Sequence, residues 1–236
     1  MASLFEEFTS LLKAKLPSLN LSEADKCFLL AELNKPVAEN PKAASQEQVW
    51  VVRTSLDLRL LRDKLAGSDV IALDIETSSL EPREGYIVGV GLGVAGLIAY
   101  IPIGHTLAED NTLLPDQLSL FEIVDTLGLN SKKFIAHNAK FEFAWFKFHA
   151  GIDLQFEWDT FLASKLLQPD MTKDLEPEDL ESVAIRELDA APWSLSPESM
   201  IAFQSVDLNV ASNYCGKDVL YTYQISQIQQ KAMAAS

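Results

Sequence analysis

The sequence is poor in cysteine, histidine and positive charge. Its 236 residues hold two cysteines, Cys27 and Cys215, and three histidines, His105, His137 and His149. Two thiols make no disulfide framework, and the scattered histidines form no Cys/His cluster of the kind that holds structural zinc. Against 34 aspartates and glutamates stand only 19 lysines and arginines, for a formal net charge of −15. That balance argues against a protein that binds nucleic acid by neutralising a long run of phosphates. It leaves room for an enzyme that grips a few nucleotides at one end, with part of its acidity neutralised by bound cations. No apolar run approaches the ~20 residues needed to cross a bilayer, so no membrane partner is expected. The start, MASLFEEFTS, has neither the basic opening nor the apolar stretch of a signal peptide, and Glu6 and Glu7 argue against a transit peptide. The expectation is an intracellular, cytoplasmic protein whose 48% hydrophobic content suffices for one substantial core.

Residues 1–34 read as two helices, the first with Leu4, Phe5, Phe8, Leu11 and Leu12 at helical spacing. Residues 35–47 (KPVAENPKAASQE) read as a linker, which makes 1–47 an N-terminal helical segment with its tether. From residue 48 the pattern changes. VWVV (49–52) and Val70 to Leu73 predict strands, with a helix opened by Thr54 between them. Tyr86 to Val94 and Leu97 to Ile103, parted by Ala95-Gly96, predict a hairpin. Leu118, Phe121, Val124 and Leu127 mark a helix, Lys133 to Ala136 a strand, and Phe141, Trp145 and Phe148 the core stripe of the next helix. Helices then dominate, at about 160–168, 177–188 and 206–232. Strands first and helices last predict an α/β domain over 48–236: one mixed sheet covered by helices. Gly91-Leu-Gly93-Val-Ala-Gly96 fits a dinucleotide-binding pattern, but LIAYIPI follows it. No helix N-terminus is available for a phosphate, and the glycines belong to a hairpin.

Three segments concentrate acidic residues where chemistry is possible. In VIALDIET, Asp74 and Glu76 lie two apart on a strand and project from one face, while Ile71, Leu73 and Ile75 take the other. Two carboxylates side by side repel unless a cation sits between them, and such oxygen ligands suit Mg²⁺ or Mn²⁺. Alone, Asp-x-Glu reads equally as a solvated acidic strand end. In FIAHNAKFEFAWF, Glu142 lies about one turn into a helix, with Asn138 and Lys140 near its start; by itself this is also an ordinary amphipathic helix. In NYCGKDVLYTYQI, Tyr214 and Asp218 are four apart on one helix face, where a hydroxyl can orient water beside a carboxylate. A buried tyrosine near a surface aspartate would give the same pattern.

In type and order, these segments resemble the three exonuclease motifs of the DEDD exonuclease superfamily, in the subgroup with tyrosine in the third motif. They are similar in particular to the proofreading domain of bacterial-type DNA polymerase I. The likeness covers about residues 48–232 and extends beyond the acidic residues. It takes in Asp74 to Thr77 and Leu80, Tyr100-Ile-Pro-Ile-Gly-His105, Asn138-Ala-Lys140-Phe-Glu142, the Asp159-Thr160 segment, Leu180 to Leu188, and Phe203 to Asp218. The resemblance implies a ribonuclease H-like fold, a mixed β-sheet flanked by α-helices, and a two-metal mechanism with Mg²⁺ or Mn²⁺. Asp74 would bridge both cations, Glu76 and Asp218 would complete the coordination of the first cation, and Glu142 would help hold the second through water. Tyr214 and Glu76 would orient the attacking water. The implied reaction removes 5′-nucleoside monophosphates from the 3′ end of single-stranded DNA. Thr77, Leu80, Asn138, Lys140 and Phe203 are the implied substrate contacts, with Leu80 and Phe203 at the terminal bases and Asn138 and Lys140 at sugar or phosphate.

One position departs from the pattern, because the second motif usually carries aspartate where Glu142 stands. The extra methylene displaces the carboxylate by more than about 1 Å, a scale on which catalytic rates respond. Activity is expected to persist, with weaker binding of the second cation. Two other readings stay open: an RNA-trimming exonuclease similar to ribonuclease D, separated only by contacts to the 2′-hydroxyl, and a catalytically inactive exonuclease-like scaffold. Scaffolds of that kind lose their acidic residues, and here every such position is filled. The acidic charge makes sense if a polymerase domain in the parent protein supplies the basic cleft.

Overall fold

The computed structural model describes residues 48–167 and 178–235. The helices and linker expected over residues 1–47 lie outside that range. The chain enters through a short strand, β1 (Trp50–Val51), and helix α1 (Ser55–Leu65). The Thr54 hydroxyl caps α1 by accepting the Asp57 N–H at 3.1 Å, and Leu58, Leu61 and Leu65 form its buried face. Strand β2 (Val70–Thr77) outruns its apolar pattern because Ile75 is still core and Asp74 and Glu76 remain within the sheet. Strands β3 (Ile87–Val94) and β4 (Leu97–Pro102) form the expected hairpin, with Gly96 at φ 75° in the turn. Helix α2 (Leu120–Leu127) ends at Gly128, and strand β5 (Lys133–Ala136) leads into helix α3 (Lys140–Ala150). Then come strand β6 (Gln155–Asp159), helices α4 (Thr160–Leu167), α5 (Leu180–Leu188) and α6 (Pro197–Ile201), and the long α7 (Leu208–Ala235).

Two of these elements were not anticipated. In β6 the residues QFEWD mix polar and aromatic side chains because the strand lies at the sheet edge, paired only with β5. The short α6 is set by its cap, Ser196, and by Pro197 in its first turn.

The sheet order is β1-β4-β3-β2-β5-β6. The β2–β3–β4 pairs are antiparallel and the others parallel, the mixed sheet expected from the sequence. On one face Ile71, Leu73, Ile75, Val90, Leu92, Ile101 and Phe134 pack with the buried residues of α1, α2 and α3. On the other, Ala72, Ile98 and Tyr100 pack with Cys215 and Val219 of α7. A Cβ on Gly91 would come within 2.6 Å of both Cys215 Sγ and Val219 Cγ2. Gly91 and Gly93 of β3 therefore let α7 lie against the sheet.

Helix α3 corrects one expectation. Phe148 was assigned to its core stripe, yet Phe148 is exposed, and the buried positions are Glu142, Trp145 and Phe146. The inward face is thus rotated by a fraction of a turn, which carries Glu142 inside.

Candidate active site

Four carboxylates converge where β2, α3 and α7 meet. Asp74 and Glu76 project from β2 on the side covered by α7, and their cross-strand partners are Gly91 and Gly89. Glycine at both positions leaves room for other side chains beside the carboxylates, Cys215 and Val219 at Gly91 and Tyr100 at Gly89. On α7 the buried face runs through Ala211, Cys215, Asp218, Val219 and Thr222, so helical periodicity carries Asp218 inward with the apolar residues. Tyr214 lies one turn earlier. Glu142 is in the first turn of α3. Glu76 is 7% exposed, Asp218 8% and Glu142 3%, while Asp74 is half-buried.

The local chain path places Glu142. Asn138 adopts φ 72°, in the left-handed region that asparagine tolerates, and turns the chain from β5 into α3. Asp159 fixes that turn, its carboxylate accepting the N–H groups of Asn138 at 3.1 Å and Ala139 at 3.0 Å. The same carboxylate caps the next helix through the N–H groups of Phe161 and Leu162. His137 is fixed between the Thr160 hydroxyl and the Glu178 carbonyl and serves packing.

The electrostatics of the cluster are unbalanced. Among the described residues no lysine or arginine forms an ion pair with Asp74, Glu76, Glu142 or Asp218. Glu76 Oε1 and Glu142 Oε2 are buried without a hydrogen-bond partner. Burial pushes the Asp74 carboxyl up to about 7, opposed by the Cys215 thiol, whose Sγ lies 3.4 Å from Asp74 Oδ2. Burial raises Glu76 well above the usual carboxylate range, and the charges of Asp74 and then Asp218 raise it further. Glu142 is raised by burial and then by Asp74. Asp218 is raised by burial and by Asp74, and the Trp193 indole N–H, 2.7 Å from Oδ1, pulls it back. Burial, then the charge of Asp218, raises the Tyr214 phenol far enough that it keeps its proton. Buried carboxylates with unpaired oxygens are costly unless a positive charge joins them. Hard oxygen donors of this kind fit divalent cations such as Mg²⁺ or Mn²⁺, so the residues present suit the cations expected from the sequence.

The cluster opens into a cavity of about 520 Å³ whose lining includes Asp74, Glu76, Tyr214, Asp218 and Thr77. Leu80, Met200, Ile201, Phe203 and Phe141 supply its apolar wall. A second cavity, about 300 Å³, reaches Asp74, Tyr214 and Asp218 from another side, past His137, Asp179, Glu181, Trp193 and Ser194. Thr77 Oγ1 donates to the Ser79 carbonyl at 2.6 Å and shapes the turn that leads to Leu80, which is 83% exposed at the rim. Phe203, expected to touch the terminal base, is 1% exposed. Its ring backs the wall against Tyr214, 5.9 Å between centroids, and the open apolar residue beside it is Ile201 at 79%. Asn138 and Lys140 are exposed at the start of α3 and do not line the larger cavity.

Sequence reasoning did not find Trp193, Cys215 or Asp159 as parts of the site. Helical spacing from Ala211 to Val219 carried a signal for Cys215. Nothing local signalled Trp193, which reaches Asp218 across 25 residues of sequence.

The sequence model of the 3′-5′ exonuclease family matches residues 49–234, most of the chain and all four carboxylates. The chain belongs to the 3′-5′ exonuclease family. Among curated relatives it is 34% identical to DNA polymerase I of Synechocystis sp. over 80% of the chain, and 27% identical to DNA polymerase I of Chloroflexus aurantiacus over 95%. It spans only 19% and 23% of the length of those two proteins. Solved structures with the same fold include Escherichia coli RNase D, described as an exoribonuclease involved in structured RNA processing. The TM-score is 0.56 at 16% identity, over 80% of this chain and 46% of that one. Brucella melitensis NrnC with bound Mg²⁺ is similar at TM-score 0.53 and 22% identity, over 79% of this chain and 80% of that one. The ribonuclease H-like architecture expected from the sequence is thereby borne out. No helix among the described residues is long and apolar enough to cross a membrane.

Proposed function

We propose that this exonuclease domain, residues 48–236 with the 1–47 segment appended, hydrolyses single-stranded DNA from its 3′ end and releases 5′-nucleoside monophosphates. The observation that carries the reading is the set of buried carboxylates: Asp74, Glu76 and Asp218 line a cavity of about 520 Å³, and Glu142 lies within electrostatic reach of Asp74. Asp74, Glu76, Glu142 and Asp218 would hold two divalent cations, Mg²⁺ or Mn²⁺. When bound, such cations sharpen water as a nucleophile and stabilise the leaving 3′ oxygen.

The chain's own residues do the rest. Tyr214, whose phenol is raised by burial and by the charge of Asp218, orients the attacking water by hydrogen bonding. Glu76, two residues along the strand from Asp74, accepts from the same water. Phe203 packs against Tyr214 and holds its ring in place. Leu80 and Ile201, both open to solvent at the cavity wall, contact the terminal bases, and Asn138 and Lys140 contact the backbone of the incoming strand.

The likeness to DNA polymerase I supports DNA as the substrate. On this reading the domain proofreads in the cytoplasm, next to a polymerase domain of the parent protein that supplies the basic cleft. An RNA-trimming role is the second reading, favoured by the structural likeness to RNase D. The deciding experiment offers 5′-labelled DNA and RNA of one sequence with Mg²⁺, Mn²⁺ or chelator, beside Asp74→Ala as control. Metal-dependent shortening from the 3′ end, faster on DNA, is expected. Faster shortening of RNA would transfer the assignment to RNA, and no shortening of either would sink the enzyme reading.

A further inference from the structure

We infer that Trp193 is a positioning residue for Asp218, whose indole N–H holds one carboxylate oxygen so that the other is presented to a divalent cation. The inference rests on the exonuclease reading of the site. Trp193 Nε1 lies 2.7 Å from Asp218 Oδ1 in a buried hydrogen bond. An indole has one donor and no acceptor, so this contact fixes the carboxylate without competing for a cation. By contrast, Glu76 Oε1 and Glu142 Oε2 have no hydrogen-bond partner among the described residues. Asp218 is held by a short indole N–H contact, whereas Asp74 meets only the weaker Cys215 thiol at 3.4 Å.

That indole is itself anchored. The Trp193 ring packs on Tyr221, 4.6 Å between centroids and one turn beyond Asp218 on α7. The Trp193 backbone N–H donates to Glu181 Oε1 at 3.2 Å, and the Ser194 hydroxyl donates to Glu181 Oε2. Glu181 lies in the first turn of α5. The irregular segment after α5 is thus tied at Trp193 and Ser194 to Glu181 of α5 and at the Trp193 ring to Tyr221 of α7, and it delivers one N–H to Asp218. Groups that orient a metal ligand in this way typically contribute 10–100-fold in affinity or rate.

The test separates the hydrogen bond from the packing. Trp193→Phe keeps an aromatic ring against Tyr221 and deletes the donor; Tyr221→Leu loosens the packing and keeps the donor. Mn²⁺ affinity of the full chain is read by electron paramagnetic resonance, and kcat and KM on single-stranded DNA are read in Mg²⁺. Trp193→Phe is expected to weaken Mn²⁺ binding by about 10–100-fold and to lower kcat with little change in KM for DNA. Tyr221→Leu is expected to lower the melting temperature while Mn²⁺ affinity stays close to wild type. Wild-type Mn²⁺ affinity in Trp193→Phe would overturn the inference, and so would an equal loss in both variants. If Trp193→Phe does not fold, the wild-type indole ¹⁵N–H resonance decides: a shift on adding Mg²⁺ supports the coupling and an unmoved resonance refutes it. A wild-type protein that binds Mn²⁺ but shortens no nucleic acid would refute the exonuclease reading alone.

Discussion

Asp74, Glu76 and Asp218 project from the interior of β2 and α7, whereas Leu80, Met200 and Ile201 sit on a turn and a five-residue helix across the same cavity. The first group is buried or half-buried within regular elements, and its positions follow from strand alternation and helix periodicity. The second is exposed and rests on short irregular segments. The difference matches the two tasks that the proposed function assigns. Holding cations requires ligand atoms fixed to a fraction of an ångström, which packed strands and helices provide. Gripping successive nucleotides of varied base requires accommodation, which exposed apolar side chains on loops provide. Damage to the carboxylate corner should therefore abolish turnover, and damage to the rim should only weaken substrate binding.

The largest effect should come from Asp74→Ala. Loss of the residue whose charge acts on Glu76, Glu142 and Asp218 alike should reduce 3′→5′ hydrolysis by on the order of 10²–10³-fold or more, read in a single-turnover assay. Glu142 sharpens the comparison from within the corner: Glu142→Ala should reduce the rate strongly, while Glu142→Asp should keep or raise it. An unchanged rate in Glu142→Ala would remove that residue from the site.

A third prediction concerns the packing that brings α7 to the sheet. Gly91→Ala places a methyl group 2.6 Å from Cys215 Sγ and Val219 Cγ2. It should destabilise the domain by about 1–3 kcal/mol in urea denaturation. The fourth is a pH effect. Asp74 rises from its ordinary 3.8 to about 7 on folding, so between those values the folded protein holds the extra proton. Its contribution to stability is full below about pH 4 and is lost as pH rises through about 7. Cations bind only the ionised form. Added Mg²⁺ should therefore raise the melting temperature clearly near pH 8 and little near pH 5, as differential scanning fluorimetry would show. The smallest effect should be Leu80→Ala at the rim: KM for single-stranded DNA rises a few-fold, kcat holds, and stability stays within about 0.5 kcal/mol. A collapse of kcat in Leu80→Ala would break the division of labour between corner and rim.

Much of the corner was legible in the sequence because regular structure repeats. Asp74 and Glu76 had to share a strand face, and Tyr214 and Asp218 had to share a helix face. The orientation of Glu142 was not legible. It depends on how far α3 is rotated, which is set by the left-handed turn at Asn138 and the grip of Asp159, 21 residues away from Asn138. Trp193 and Ile201 were hidden for a related reason: each lies in a short or irregular segment whose position is decided by tertiary contacts. Phe203 was expected at the terminal bases, and its packing against Tyr214 and His105 leaves it 1% exposed, which the sequence alone does not reveal.

The central claim is that the unpaired carboxylates of the corner are a cation site. Titrating the full chain with Mn²⁺ near pH 8, and counting bound ions by calorimetry and electron paramagnetic resonance, tests it most directly. Wild type should bind about two ions per chain, and Asp74→Ala should lose most of that binding while remaining folded. Failure of the wild type to bind Mn²⁺, or undiminished binding by Asp74→Ala, would contradict it.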